Sequence, residues 1–159
     1  MPETVFGLPT HILSIHAVVV LVPLSAGGVV LMALIPPLRR LLRWPVLAVL
    51  TAALAAVPVA TQSGELLMAR LVREGALGGP VLDKVQLHQE LGEQVLWPVL
   101  GLWIFTVALV AAEGSRRPAR HPALLAVLTG LAVVAALLAT LQVIRTGHAG
   151  ATAVWNPGA

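Results

Sequence analysis

The five histidines, His11, His16, His88, His121 and His148, and Glu65 at the end of an apolar run are the side chains whose type and place suit them to hold a metal ion or a haem iron. Imidazole nitrogen suits zinc, copper and iron, and a carboxylate adds a harder oxygen donor. Cysteine is absent, which excludes disulfides, thioether-attached haem and cysteine-held iron–sulfur clusters. The motifs of other chemistries are also missing. No Glu-x-x-His pair of a dimetal bundle occurs, no His-Glu-x-x-His of a zinc protease, and no glycine loop followed by Lys-Ser or Lys-Thr to cradle phosphate. Ser14, Ser25 and Ser63 have no nucleophile-motif context.

The elements that must position these residues are set by composition. Of 159 residues, 58% are hydrophobic and 11% charged, with a mean hydropathy of +0.92, whereas a soluble domain carries about 25% charged residues. The chain therefore reads as a single four-helix membrane domain, 1–159, with spans at about 12–35, 44–62, 90–112 and 123–145, each close to the roughly 20 residues that cross a bilayer core. The first span lacks a basic leader and a cleavage site, so a retained helix is expected. Pro36-Pro37 ends it, since proline cannot donate the helix hydrogen bond. The polar stretch 65–90 reads as an outer hairpin: two short interfacial helices about Gly75, Gly78, Gly79 and Pro80, the second running on into span three. Arg39, Arg40 and Arg43 fill one short loop and Arg116, Arg117 and Arg120 the other, which places both loops in the cytoplasm and both termini outside. The expected fold is an all-α, up-down-up-down bundle with spans one and three diagonal, as are two and four. The net charge of +3 rests on nine Arg and one Lys, with no basic patch interleaved with aromatics, so the lipid bilayer and not nucleic acid is the expected partner.

Counting from the arginines at about 1.5 Å per residue places His16 about 35 Å up span one, Glu65 about 33 Å up span two, His88 about 38 Å up span three and His148 about 40 Å up span four. All four meet at the outer border. Span two ends Ser63-Gly64-Glu65 and span four Thr146-Gly147-His148, each a hydroxyl, a glycine suited to a left-handed cap and a potential ligand. This shared plan points to two related hairpins, with His16 matched to His88 and Glu65 to His148. At 100° per residue, His16, Val20, Pro23 and Gly27 share a face of span one. Thr51, Ala55, Pro58, Gln62 and Glu65 share one on span two, and His88, Gly92, Val95, Val99, Leu102 and Thr106 one on span three. Small residues beneath a ligand allow either close packing or room for a flat macrocycle. His11 lies about 140° from His16 and joins the same site only if the chain bends near Pro9.

Plainer roles compete. His121, between Arg120 and Pro122, reads as a solvated loop residue. Glu65 reads equally as a helix-end cap or a partner of Arg70 or Arg145. Arg145 either snorkels to headgroups or holds an anionic group such as a haem propionate. Trp44, Trp97, Trp103 and Trp155 read as interface anchors and packing, and Glu90 and Glu93 as a solvated face.

The segments Leu8–His11 through His16–Val20, Thr61–Glu65, His88–Gly92, and Gly147–Gly150 with Val154-Trp155 resemble the actinobacterial branch of a bacterial membrane family catalogued as domain of unknown function 2231. Scarce Lys beside abundant Ala, Val, Leu and Arg fits a high-GC genome. The resemblance implies emphasis on His11, His16, Glu65, His88 and His148. Some relatives are fused to Rieske-type domains, and the family is similar in plan to two-haem, four-helix b-type cytochromes, which implies electron transfer in a bacterial plasma membrane. The leading expectation is a b-type cytochrome-like subunit. His16 and His88 would ligate haem b, with His11 and His148 in reserve, Arg145 on a propionate, and a quinone or outer-face redox protein as partner. A second expectation is a Zn, Cu or Fe site built from His16, His88, His148 and Glu65. A third is a structural accessory subunit of a larger respiratory complex.

Overall fold

The computed structural model describes residues 4–5, 7–114 and 122–156. A two-strand pair, β1 (Thr4–Val5) and β2 (Leu8–Pro9), precedes five helices: α1 (Thr10–Leu34), α2 (Arg39–Arg73), α3 (Gly79–Glu93), α4 (Leu96–Gly114) and α5 (Pro122–Trp155). Four helical stretches, with α3 and α4 taken as one, are long and apolar enough to cross a membrane. The protein is a multi-pass helical membrane protein. Arg116, Arg117, Arg120 and His121 lie outside the described residues.

Local chemistry accounts for the helix ends. After Ile35 the two prolines make a single 3-10 turn, Pro36–Leu38, and Arg39 folds back to donate to the carbonyls of Met32 at 2.6 Å and Ala33 at 3.3 Å. Those carbonyls lie in the last turn of α1, where a cation also suits the helix dipole. At the end of α2, Gly75 takes φ +71°, its N–H bonds Val72 O, and Ala76 N–H bonds Leu71 O. This is the paired bonding that closes a helix through a left-handed residue. Gly75→Ala is expected to cost about 1–2 kcal/mol through that conformation, read as an earlier midpoint in detergent unfolding; an unmoved midpoint would show that the cap contributes nothing. Between α3 and α4, Pro98 lacks the N–H that would continue the ladder to Gln94, and the chain turns at Gln94-Val95.

These ends differ from the sequence expectation in one respect that matters for the site. The stretch after Glu65 is no separate interfacial helix, because α2 runs unbroken to Arg73, and α5 likewise runs to Trp155. Gly64 and Gly147 are therefore interior helix residues and not caps. Only α3 behaves as the expected second arm of the hairpin.

The helices α1 and α2 pack on each other as one hairpin, and α3 with α4 packs on α5 as the other; α1 also contacts α5, and α2 contacts α4, while α1 and α4 barely meet. Spans one and three are thus diagonal, as expected. The buried positions repeat between the hairpins. Val18, Val22, Ser25, Val29 and Met32 of α1 recur 77 residues later as Val95, Val99, Leu102, Thr106 and Leu109, and all ten are buried. Val46, Leu50, Ala53 and Val57 of α2 recur 86 residues later as Ala132, Ala136, Ala139 and Val143, again all buried. Two related hairpins were expected, but the register differs: His88 corresponds to His11 and not to His16, and Gly64 corresponds to Gly150.

Candidate functional site

His11 is the second residue of α1, in the first turn after the N-cap Pro9, so it needs no bend in the chain to join the bundle. One helical face carries His11, Ile15, Val18 and Val22 inward, and this face brings the imidazole against α2. Its Nδ1 lies 3.0 Å from the carbonyl of Ala60. His88, at the related place on α3, sets its Nδ1 2.9 Å from the carbonyl of Thr146 on α5. A carbonyl only accepts, so in each ring Nδ1 carries the hydrogen and donates it, leaving Nε2 with a free lone pair.

Both carbonyls are reachable because of a glycine. Helical side chains lean back toward the N-terminus, so the residue four positions on covers a given carbonyl. Four positions after Ala60 stands Gly64, and four after Thr146 stands Gly150. A Cβ on Gly64 would fall 2.9 Å from Cε1 of His11, and one on Gly150 would fall 2.9 Å from Cε1 of His88. Each imidazole thus lies in the space a side chain would fill.

The two rings are neighbours in an edge-on arrangement, with centroids 6.2 Å apart and planes at 74°. They line a cavity of about 630 Å³ whose other walls are mainly apolar, from Val18, Val57, Val85 and Val143, with Gly92 and Gly147 also lining it. Polar bonds brace each hairpin next to its histidine. In the first, the Ser14 and Ser63 hydroxyls lie 3.1 Å apart. In the second, Val95 N–H turns to Gly92 O, and Leu91 O accepts instead from Gln142 Nε2 at 2.9 Å and Thr146 Oγ1 at 3.1 Å. Gln142→Leu removes one of these donors from a buried position, and a loss of about 1–2 kcal/mol is expected, measured by thermal unfolding in detergent. Stability equal to the parent protein would show that Thr146 alone suffices.

The other expected ligands lie elsewhere. His16 is exposed on the far side of α1, its Nδ1 bonded to the carbonyl of Ile12. Glu65 and His148 are exposed, one and two positions out of register with the glycines that face the cavity. Arg145 is exposed beside Gln142, with Nη1 3.5 Å from Oε1, and does not line the cavity. Among the described residues no three of His, Asp and Glu gather closely enough to hold a metal ion. The four-ligand set of His16, His88, His148 and Glu65 is therefore not assembled, because a helix turns 100° per residue and His16, His148 and Glu65 point away from the faces that meet. The structure brings His88 together with His11. Gly64 and Gly150 as ring seats, and Ala60 and Thr146 as carbonyl partners, were not read from the sequence. The signal available was Ala60-x-x-x-Gly64 recurring as Thr146-x-x-x-Gly150.

No curated protein and no solved structure matches the chain. A family described as Predicted membrane protein (DUF2231) matches residues 7–159; with nearly the whole chain covered and the four-helix plan in place, the protein belongs to that family.

Proposed function

We propose that the protein is a membrane-embedded b-type haem protein that transfers electrons, in which His11 and His88 would hold the haem iron between them. The observation that carries this reading is the histidine pair itself. A metal–imidazole bond of roughly 2.0–2.1 Å, plus about 1.1 Å from nitrogen to ring centre, doubled across one ion, gives a centroid separation of about 6.3 Å. The separation in the structure is 6.2 Å, and both rings keep Nε2 as the free donor.

The donor set fits haem better than a bare ion. Two nitrogens with no third protein ligand among the described residues leave a free zinc or copper ion under-coordinated, whereas a macrocycle brings four equatorial donors of its own. The cavity of about 630 Å³ falls within the roughly 300–1,000 Å³ of ligand sites. Haem supplies a one-electron couple when bound. His11 and His88 would fill both axial positions, which favours electron transfer over chemistry at an open coordination site. The Nδ1–H bonds to Ala60 and Thr146 fix each ring's orientation and raise its basicity, and the mainly apolar lining lowers the local polarity; both are levers on potential. A quinone or a redox protein at the histidine end of the bundle would exchange the electron, in the bacterial plasma membrane.

The test is an absorption spectrum of detergent-purified protein, oxidised and dithionite-reduced, after expression with added haem precursor. A sharp reduced α band with about one haem per chain supports the reading. A colourless protein under those conditions would falsify it and favour an accessory, structural subunit.

A further inference from the structure

We infer that Gly64 and Gly150 are positioning residues that hold the two axial imidazoles in near-perpendicular planes. The inference rests on the haem reading above and adds to it a specific electronic state.

Each ring is held at two edges. Nδ1 of His11 is hydrogen-bonded to Ala60 O, and its Cε1 lies where a Cβ on Gly64 would be, 2.9 Å away. Nδ1 of His88 is bonded to Thr146 O, and its Cε1 lies 2.9 Å from a Cβ on Gly150. A ring can turn about its own axis only by leaving its carbonyl. Nε2 is the nitrogen that the carbonyl bond leaves free, and a Cβ on Gly64 or Gly150 would stand 3.6 or 3.4 Å from it, so the two glycines also keep that donor open; ligation through Nε2 with both carbonyl bonds kept would retain the 74° between the planes. The two hairpins each contribute one carbonyl and one glycine, and their mutual packing therefore sets the angle.

That angle has a measurable consequence. Parallel axial imidazoles donate π density into the same iron d orbital and split the upper pair, which gives a low-spin ferric spectrum with three resolved g values. Perpendicular imidazoles act on different orbitals and leave that pair nearly degenerate, which gives a single feature at large g. An alanine methyl at residue 64 or 150 forces its imidazole off the carbonyl and lets the plane rotate.

The experiment is electron paramagnetic resonance of the oxidised, haem-loaded full chain, beside Gly64→Ala, Gly150→Ala and Gly130→Ala. Gly130 is the control, because a Cβ there meets nothing within 4 Å and the residue does not line the cavity. The expected result is a large-g signal from the parent and from Gly130→Ala. Each of the other two variants should shift toward the three-line form, or lose haem while circular dichroism stays unchanged. A three-line spectrum from a parent protein that holds haem would overturn the inference and leave the haem reading standing. An unshifted large-g signal in both ring-seat variants would remove the glycines from the role. Absence of haem from the parent would remove both readings together.

Discussion

Alanine at His11 or at His88 is expected to strip haem from the purified protein, while alanine at His16 or His148 leaves the haem-to-protein ratio unchanged. Loss of a partner that merely hydrogen-bonds a ligating histidine costs about 10–100-fold in affinity, so loss of the ligand itself should exceed about tenfold. The contrast between His11 and His16 carries the information. They sit five residues apart on α1, so a general effect on membrane insertion would strike both. Only His11 faces His88, and His16 is exposed. Imidazole added to His11→Ala or His88→Ala should restore part of the low-spin spectrum, because the truncated ring leaves a ring-shaped space beside an available carbonyl. Retention of haem by His11→Ala together with its loss from His16→Ala would reverse the ligand assignment.

The second large effect concerns the packing of α1, which carries His11, against α2, which supplies the carbonyl that His11 bonds. A Cβ on Gly28 of α1 would stand 2.5 Å from Cγ2 of Val46 on α2, closer than any relaxed contact, and Val46 is itself buried. Gly28→Ala should therefore cost about 1–3 kcal/mol as overpacking. Val46→Ala removes the atom in the way. The double variant should recover much of the loss, with a coupling of about 0.5–3 kcal/mol of the kind seen between touching residues. The related positions of the second hairpin are Phe105 and Ala132, which place the bulk on the opposite helix of the pair. Folded fraction against denaturing detergent, followed by circular dichroism, reads the cycle. Strictly additive losses would show that α1 and α2 adjust independently at this contact.

The sequence determined the solvent and the plan. Sparse charge and four apolar runs require helices that satisfy their own backbone in lipid, and Pro36-Pro37 and the glycines from Gly75 to Gly79 mark the breaks between them. The inward face of α3 and α4, from His88 through Val95, Val99, Leu102 and Thr106, was also legible: four of those five are buried and His88 lines the cavity.

The faces of α1 and α2 were decided only by tertiary packing. Both spans are apolar on every side, and lipid is as apolar as a protein core, so no hydrophobic contrast distinguishes inside from outside. The polar-looking stripe Thr51, Ala55, Pro58, Gln62 and Glu65 is exposed throughout, as is His16. The faces that meet are instead those where small residues let backbones and rings approach, at Gly28 against Val46, Gly64 against His11 and Gly150 against His88. Complementary shape, which pairs one helix's glycine with another's side chain, is a property of two segments together. The sequence therefore supplied the histidines, and the pairing of His11 with His88 came from how the two hairpins fit.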